Sequence, residues 1–209
     1  MTKDELVSLC PVLFHMSEAG SWDSIRRHGL RSTTAVLDLF EISGSERFDI
    51  ESKWRPESRI IEHSVYGKAV IRDQKVMPEN DLQKCLDGLT TQQWYELLNH
   101  KTFFWVDWQR LKWMLGAREY RHRAHWVIMV DTRALLDRHA ENVTLSSQNS
   151  GSILDGRRRG WHTFQTMGNY TMRWVAELAV EYSVSDIGEL TICVEEWKRD
   201  KRLKVIWKP

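Results

Sequence analysis

The chain is short of cysteine, of net charge and of long apolar runs, and each shortage narrows what it does. Its three cysteines, Cys10, Cys85 and Cys193, are odd in number, far apart and without CxxC spacing. That argues against a disulfide framework and against a structural zinc site, and fits a reducing cytoplasm. Lysine and arginine total 30 against 29 aspartates and glutamates, a formal net charge of +1, so bulk charge does not make the molecule a polyanion binder. No apolar run approaches the roughly 18 residues of a membrane span. The opening stretch MTKDELVSLCPVLF is too polar for a signal peptide. The expectation is a soluble cytoplasmic protein with no membrane contact. A Walker loop, GxGxxG, HExxH and GxSxG are all missing. The eight histidines show no metal spacing, since His122 and His125 fall in the polar run REYRHRAH, and no metal is expected. Neither a repeat nor a low-complexity segment is present.

Against these shortages stand eleven tryptophans in 209 residues. A chain of this length forms one domain, here 1–209, with a sizeable core. Aromatic side chains bury large areas and also stack on flat ligands. The stretch KTFFWVDWQRLKWML, 101–115, concentrates them: Thr102 to Val106 reads as a buried strand running into a helix capped by Asp107. Phe104 and Trp105 point to opposite sides of that strand, so only one need belong to the core.

Helices are predicted over 3–9, 21–30 with Ser21 as cap and Gly29 at its C-terminus, 33–42, 79–89, 90–99 capped by Thr90 or Thr91, 107–116 and 132–139. Strands are predicted over 12–16, 65–73, 102–106, 125–131, 142–147, 172–182, 189–197 and 203–207. RPESRIIEH, 55–63, reads as a helical turn within an irregular polar region, and 148–171 as a long loop. Helices dominate the first half and strands the second, so the fold class is α+β rather than a doubly wound sheet.

Four features carry candidate chemistry. His15 and Ser17 lie two apart in LFHMSEAGSWDSIRRHGL, so their side chains face the same side of a strand. The bland reading is a satisfied strand histidine near a turn; the other is a polar pair awaiting a ligand. Glu177 sits mid-way through the apolar run WVAELAV. It is either a costly buried carboxylate with a purpose, or a solvent-side residue sharing a face with Glu181 while Trp174, Ala176, Leu178 and Val180 form the core face. Third come the aromatics of 101–115. Last, the loop QNSGSILDGRRRGWHTF offers Asn149, Ser150 and Gly151 as donors for a phosphate or ribose. The basic clusters at Arg118, Arg121, His122 and Arg123, and at Arg157, Arg158 and Arg159, are solvated faces by default and equally compatible with phosphate-backbone contact.

In order along the chain, these motifs resemble the ADP-ribosyltransferase superfamily. The likeness is closest to its DNA-targeting toxin branch and more distant to the RNA 2′-phosphotransferases. The aromatic-His-x-Ser/Thr strand end is matched by LFHMS, the following helix closing on Gly-Leu by SIRRHGL, the aromatic middle strand by FFWV, and the glutamate strand by AELAVEYSVSDI. Aromatics other than tyrosine hold the middle strand, and Arg110 is the nearest match to an arginine that follows it in the toxins. The chain also resembles an uncharacterised bacterial family through LNHKTFFW and RGWHTF. The resemblance implies a split antiparallel sheet with helices in the N-terminal half, NAD as substrate, and transfer of ADP-ribose to a macromolecular acceptor such as a DNA or RNA base. It also implies an antitoxin-like partner protein. His15, Ser17 and the Met16 backbone would hold NAD, Phe104 or Trp105 would stack on nicotinamide, Arg110 would contact a phosphate, and Glu177 would stabilise the oxocarbenium ion. The alternatives are an RNA 2′-phosphotransferase-like enzyme and an inactive NAD- or nucleic-acid-binding module of the same fold.

Overall fold

A computed structural model describes residues 1–75 and 77–209. The chain runs α1 (Lys3–Leu9), β1 (Val12–Glu18), α2 (Trp22–His28), β2 (Leu30–Arg31), α3 (Thr33–Leu39), α4 (Gly44–Glu51), β3 (Arg59–His63), β4 (Gly67–Ile71), α5 (Glu79–Cys85), β5 (Leu86–Asp87), α6 (Thr91–Asn99), β6 (Lys101–Trp105) and α7 (Trp108–Gly116). It continues through β7 (His125–Asp131), α8 (Thr132–His139), β8 (Val143–Ser146), β9 (Arg159–Gly160), β10 (Gln165–Thr166), β11 (Glu177–Glu181), β12 (Ser183–Val184), α9 (Ile187–Leu190), β13 (Thr191–Lys198) and β14 (Lys201–Trp207). Among the described residues, six of the nine α-helices lie before residue 100. None of the described helices is long and apolar enough to cross a membrane.

Local signals set most of these boundaries. Thr2 and Thr90 make capping boxes with Glu5 and Gln93, Ser32 caps α3, and the Asp107 carboxylate accepts from the backbone N–H groups of Gln109 and Arg110 at the start of α7. These bonds satisfy donors that a helix N-terminus leaves open. Ser21 does not cap α2; its hydroxyl donates to the Glu18 carbonyl at 2.7 Å. Gly29 follows α2 with φ +86° but an extended ψ of 158°. A side chain there would meet the Ser185 backbone at 2.8 Å, so glycine is needed both for the dihedral and for the close approach.

Several elements differ from expectation, among them α4, in the polar 43–64 stretch read as irregular, and β9 and β10, within 148–171, read as a long loop. RIIEH is a strand paired with β4, not a helical turn. Glycine at 67 with φ +74° closes the hairpin, and Ile61 packs into a cluster with Leu37, Phe40, Ile50 and Ile71 while its neighbour Ile60 is 67% exposed. One residue in, the next out, is strand periodicity. The late strand begins only at Glu177, and Trp174 before it is exposed. The helix begun at 79 stops at Cys85, where the chain extends into β5 and pairs parallel with β9.

The main sheet has eight strands in the order β10-β8-β11-β6-β1-β7-β13-β14, and its ladders are antiparallel. It is nearly two sheets. Strand β1 pairs with β7 over seven residues and β11 with β6 over five, but β1 and β6 meet at the single pair Phe14–Trp105. One face of both halves contributes to a common core containing Leu13, Phe104, Ile128, Leu145, Leu178 and Val194. On the other face, α5 and α6 cover one half through Leu82, Trp94 and Leu98. Helix α7 covers the other through Leu111 and Leu115 against Met16 and Val127. The small hairpin β3–β4 packs with α3 and α4 as a separate cluster beside the break.

Candidate functional site

The break between β1 and β6 is where the site is built. Past the Phe14–Trp105 pair the two strands share no ladder, so backbone groups of β6 are freed from sheet pairing. One of them, the Phe103 carbonyl, is taken by the ring of His15 at 2.9 Å. A carbonyl only accepts, so Nδ1 carries the proton and Nε2 of the neutral ring is left as an acceptor. Burial pushes the His15 pKa down to about 4, against the pull of the Phe103 hydrogen bond and reinforced by the charge of Arg72. The ring is therefore neutral at physiological pH.

The linkage has a definite sign. A histidine depressed in the folded state adds stability above its ordinary value of 6.5 that is lost as pH falls toward 4. His15→Asn keeps a donor for Phe103 and should flatten the acid limb of a melting-temperature profile between pH 6.5 and 4. An acid limb identical to wild type would show that His15 is not held neutral.

A cleft of about 590 Å³ opens at this break, within the range of small-molecule sites. His15, Met16, Trp105, Arg110, Asn149 and Gly151 all face it. Trp105 thus stands on the cleft while Phe104, 1% exposed, belongs to the core and makes an edge contact with His15 at 6.0 Å between ring centres. That settles which of the two aromatics is free to meet a ligand. Trp113, 66% exposed, also borders the cleft, whereas Trp108 packs on Phe14 and Trp197. Ser17 is buried, donates to the Trp126 carbonyl at 3.3 Å and is off the cleft wall.

Glu177 is 5% exposed, so it is not a solvent-side residue. It pairs across the ladder with Trp105, which pairs with Phe14; these three share one face of the sheet, and by alternation His15 starts from the other. Glu177 does not itself line the cleft. Ser150 covers it, donating to Oε2 from both its backbone N–H at 3.0 Å and its hydroxyl at 2.6 Å, and the flanking Asn149 and Gly151 form the wall. Burial pushes the carboxyl pKa up to about 6; the two Ser150 bonds and the charges of Arg110 and Arg159 pull the other way. Oε1 has no hydrogen-bond partner among the described residues.

The loop over Glu177 is held from inside. Arg159 is fully buried and donates to the carbonyls of Asn149, Ser152 and Arg157 and to the Asp155 carboxylate at 2.7 Å. It is therefore not part of a solvated basic face, although Arg157 and Arg158 are exposed, as are Arg118, Arg121, His122 and Arg123.

Sequence reasoning missed further cations on the cleft wall. Arg31, Arg55, Arg72 and Lys101 border it. Lys101 pairs with Glu181, but Arg31, Arg55, Arg72 and Arg110 form no ion pair among the described residues. Arg55 and Arg72 flank the β3–β4 hairpin, Arg55 in the polar stretch read as irregular and Arg72 at the end of the predicted strand 65–73; the available signal was their position on either side of that short apolar alternation.

Comparison with known proteins bears on the whole of this arrangement. A family profile described as "Family of unknown function (DUF7002)" matches residues 11–198, a span that includes every residue of the site. No curated protein matches the chain.

Proposed function

Since the chain belongs to this family of unknown function, whose description names no activity, we propose from the site itself that the protein is an NAD-dependent ADP-ribosyltransferase acting on a nucleic acid base. The observation that carries this reading is the broken β1–β6 junction, with a neutral imidazole bonded across it and a desolvated carboxylate on the second strand over. A junction of this kind supports the reading as a split antiparallel sheet that the sequence resemblance implies.

Each group has a task consistent with its chemistry. Nε2 of His15, an acceptor, takes a ribose hydroxyl. Trp105 supplies a flat face for the nicotinamide ring, with the Met16 backbone beside it. As the C1′–N bond breaks, its electron pair leaves with nicotinamide and positive charge builds on the ribose. Glu177, with a pKa of about 6, is mostly ionised at neutral pH and stabilises that charge in a dry setting, where such an effect is worth several kcal/mol. A ring nitrogen or exocyclic amine of the acceptor base then attacks C1′ and loses its proton. For Glu177 to reach the ribose, the segment carrying Asn149, Ser150 and Gly151 must yield to the ligand. Ser17 and Phe104 have no direct part in this scheme.

The second reading is an enzyme moving a 2′-phosphate from RNA to NAD. The unpaired arginines on the cleft and the position of Glu177 behind Ser150 favour it, because that chemistry uses cations around the histidine and no catalytic carboxylate. A binding module without catalysis is the third. One assay separates them: incubation with NAD and, in turn, DNA, RNA and 2′-phosphorylated RNA. The expected result is nicotinamide release with ADP-ribose attached to nucleic acid. Reaction confined to the 2′-phosphorylated RNA, with loss of that phosphate, would establish the second reading. NAD left intact with every acceptor would overturn both enzyme readings.

A further inference from the structure

We propose that Arg72, backed by Arg55, forms a phosphoryl-binding subsite on the cleft wall beside His15. The inference goes beyond the transferase reading, because it requires only that the cleft take a phosphorylated ligand.

Arg72 follows β4 and turns its guanidinium over the ring of Tyr120, 4.5 Å from the ring centre. Beyond that contact its side chain has no hydrogen bond and no ion pair among the described residues, and Nη2 is sealed from water without a partner. Arg55 is 5% exposed. Its donors go to neutral acceptors only: the Ile50 carbonyl, the Asn99 side chain at 3.3 Å, and the Arg72 carbonyl at 2.7 Å. That last bond ties the two arginines together, so the Arg72 backbone is fixed by the cation behind it. Gln74 completes the wall, 9% exposed and with a buried unpartnered Oε1.

Taking a guanidinium out of water without a counter-charge is costly. Here Arg55 is buried, and beside it in the same wall the half-buried Arg72 has its Nη2 sealed from water. The carboxylates on the cleft lining form no ion pair with them and offset them only in part, Asp73 acting on Arg55 through space. Glu119 is bound to Lys75 at 2.8 Å. Asp73 bonds to the Ser58 hydroxyl and, at 3.5 Å, to the Tyr120 hydroxyl, and it is not within ion-pair distance of either arginine. The missing partner is an anion from outside. Arg31 and Arg110 border the same cleft unpaired, so the demand is for more than one negative charge, which a pyrophosphate or a phosphate monoester supplies and a carboxylate does not. The planar guanidinium fork suits phosphoryl oxygens in particular. The volume of about 590 Å³ leaves room for the nucleoside that carries such a group.

Calorimetric titration of the full chain with inorganic pyrophosphate and with ADP-ribose tests this without any turnover, so an inactive protein that binds both would count against the transferase reading and not against the subsite. The expected result is binding of both by wild type and at least tenfold weaker binding by Arg72→Gln. Arg72→Lys, which keeps the charge and loses the fork, should fall between them and serves where the glutamine variant does not fold. Paired oligoribonucleotides with and without a 2′-phosphate separate the sources. Preference for the 2′-phosphorylated strand assigns the subsite to a monoester, and preference for ADP-ribose over either strand assigns it to a nucleoside diphosphate. Absence of binding to every phosphorylated probe, or equal affinity in wild type and both variants, would overturn the proposal.

Discussion

Glu177→Gln should lower NAD turnover on the order of a hundredfold or more while leaving the fold as stable as wild type, or more so. The glutamine fits the same space, and its side-chain oxygen still accepts from Ser150. It cannot supply negative charge to a developing oxocarbenium ion, so the loss falls on the rate of glycosidic cleavage rather than on affinity for NAD. Stability moves the other way for an electrostatic reason. Burial raises the carboxyl pKa from 4.5 to about 6, and the group is 5% exposed. A folded-state pKa above the unfolded one means that this group's contribution is fully present below pH 4.5 and is lost as pH rises through 6, a difference of about 2 kcal/mol. At neutral pH the wild-type protein carries that cost and the variant does not. The two measurements are initial-rate NAD turnover and melting temperature across pH 4–8. In wild type the rate should climb through pH 6 as the carboxyl ionises. Equal turnover in the two proteins would remove Glu177 from the mechanism.

Arg159→Met should cost about 3 kcal/mol, which for a chain of this size lowers the melting temperature by roughly 6–12 °C. The long apolar side chain fills much of the space, so the loss comes from the acceptors it abandons. Three part-buried carbonyls of the 149–157 segment and the Asp155 carboxylate accept from this guanidinium, and removing the cation leaves the carbonyls without this donor, while Asp155 keeps the Arg157 backbone N–H. The loosened segment includes Ser150, which holds Glu177. Hydrogen exchange should accelerate over 149–158 before it does in β11 or β6. Unchanged protection of that segment would mean that the loop is held by something else.

Much of the fold could be read from residue patterns where the pattern was long. Strands β1 and β7 alternate between a common core and a covered face, with Leu13, Ile128 and Val130 on one side and Met16 and Val127 on the other, and they were found to within a residue or two. Helices with side-chain caps, such as α6 from Thr90 and α7 from Asp107, were equally plain. Short elements were not. In β3 only Ile61 turns inward, and one buried residue in five cannot distinguish a strand from a turn of helix. The strand around Glu177 was read as starting five residues early because Trp174 and Ala176 continue the apolar alternation; yet Trp174 donates to the Ser147 carbonyl from an exposed position. For Glu177 itself, period two allowed either face, and only the covering Ser150 decides that it is buried. Arg55, Arg72 and Arg159 were the least legible. An arginine in a polar stretch reads as surface, and what draws Arg55 and Arg159 inside is a set of carbonyls brought near by tertiary structure, while Arg72 lies over the Tyr120 ring.

The eight-stranded sheet also constrains how the molecule can be divided. Strands β10, β8, β11 and β6 form one half and β1, β7, β13 and β14 the other. The chain enters the second half with β1, crosses to the first for β6, returns for β7, crosses again for β8, β10 and β11, and returns for β13 and β14. Neither half is a continuous piece of sequence, so no single cut yields two fragments that each own a complete half-sheet. The polypeptide laces the halves together four times although only one ladder rung joins them. The cleft therefore sits where a single rung, a shared core and the lacing of the chain hold the two halves together.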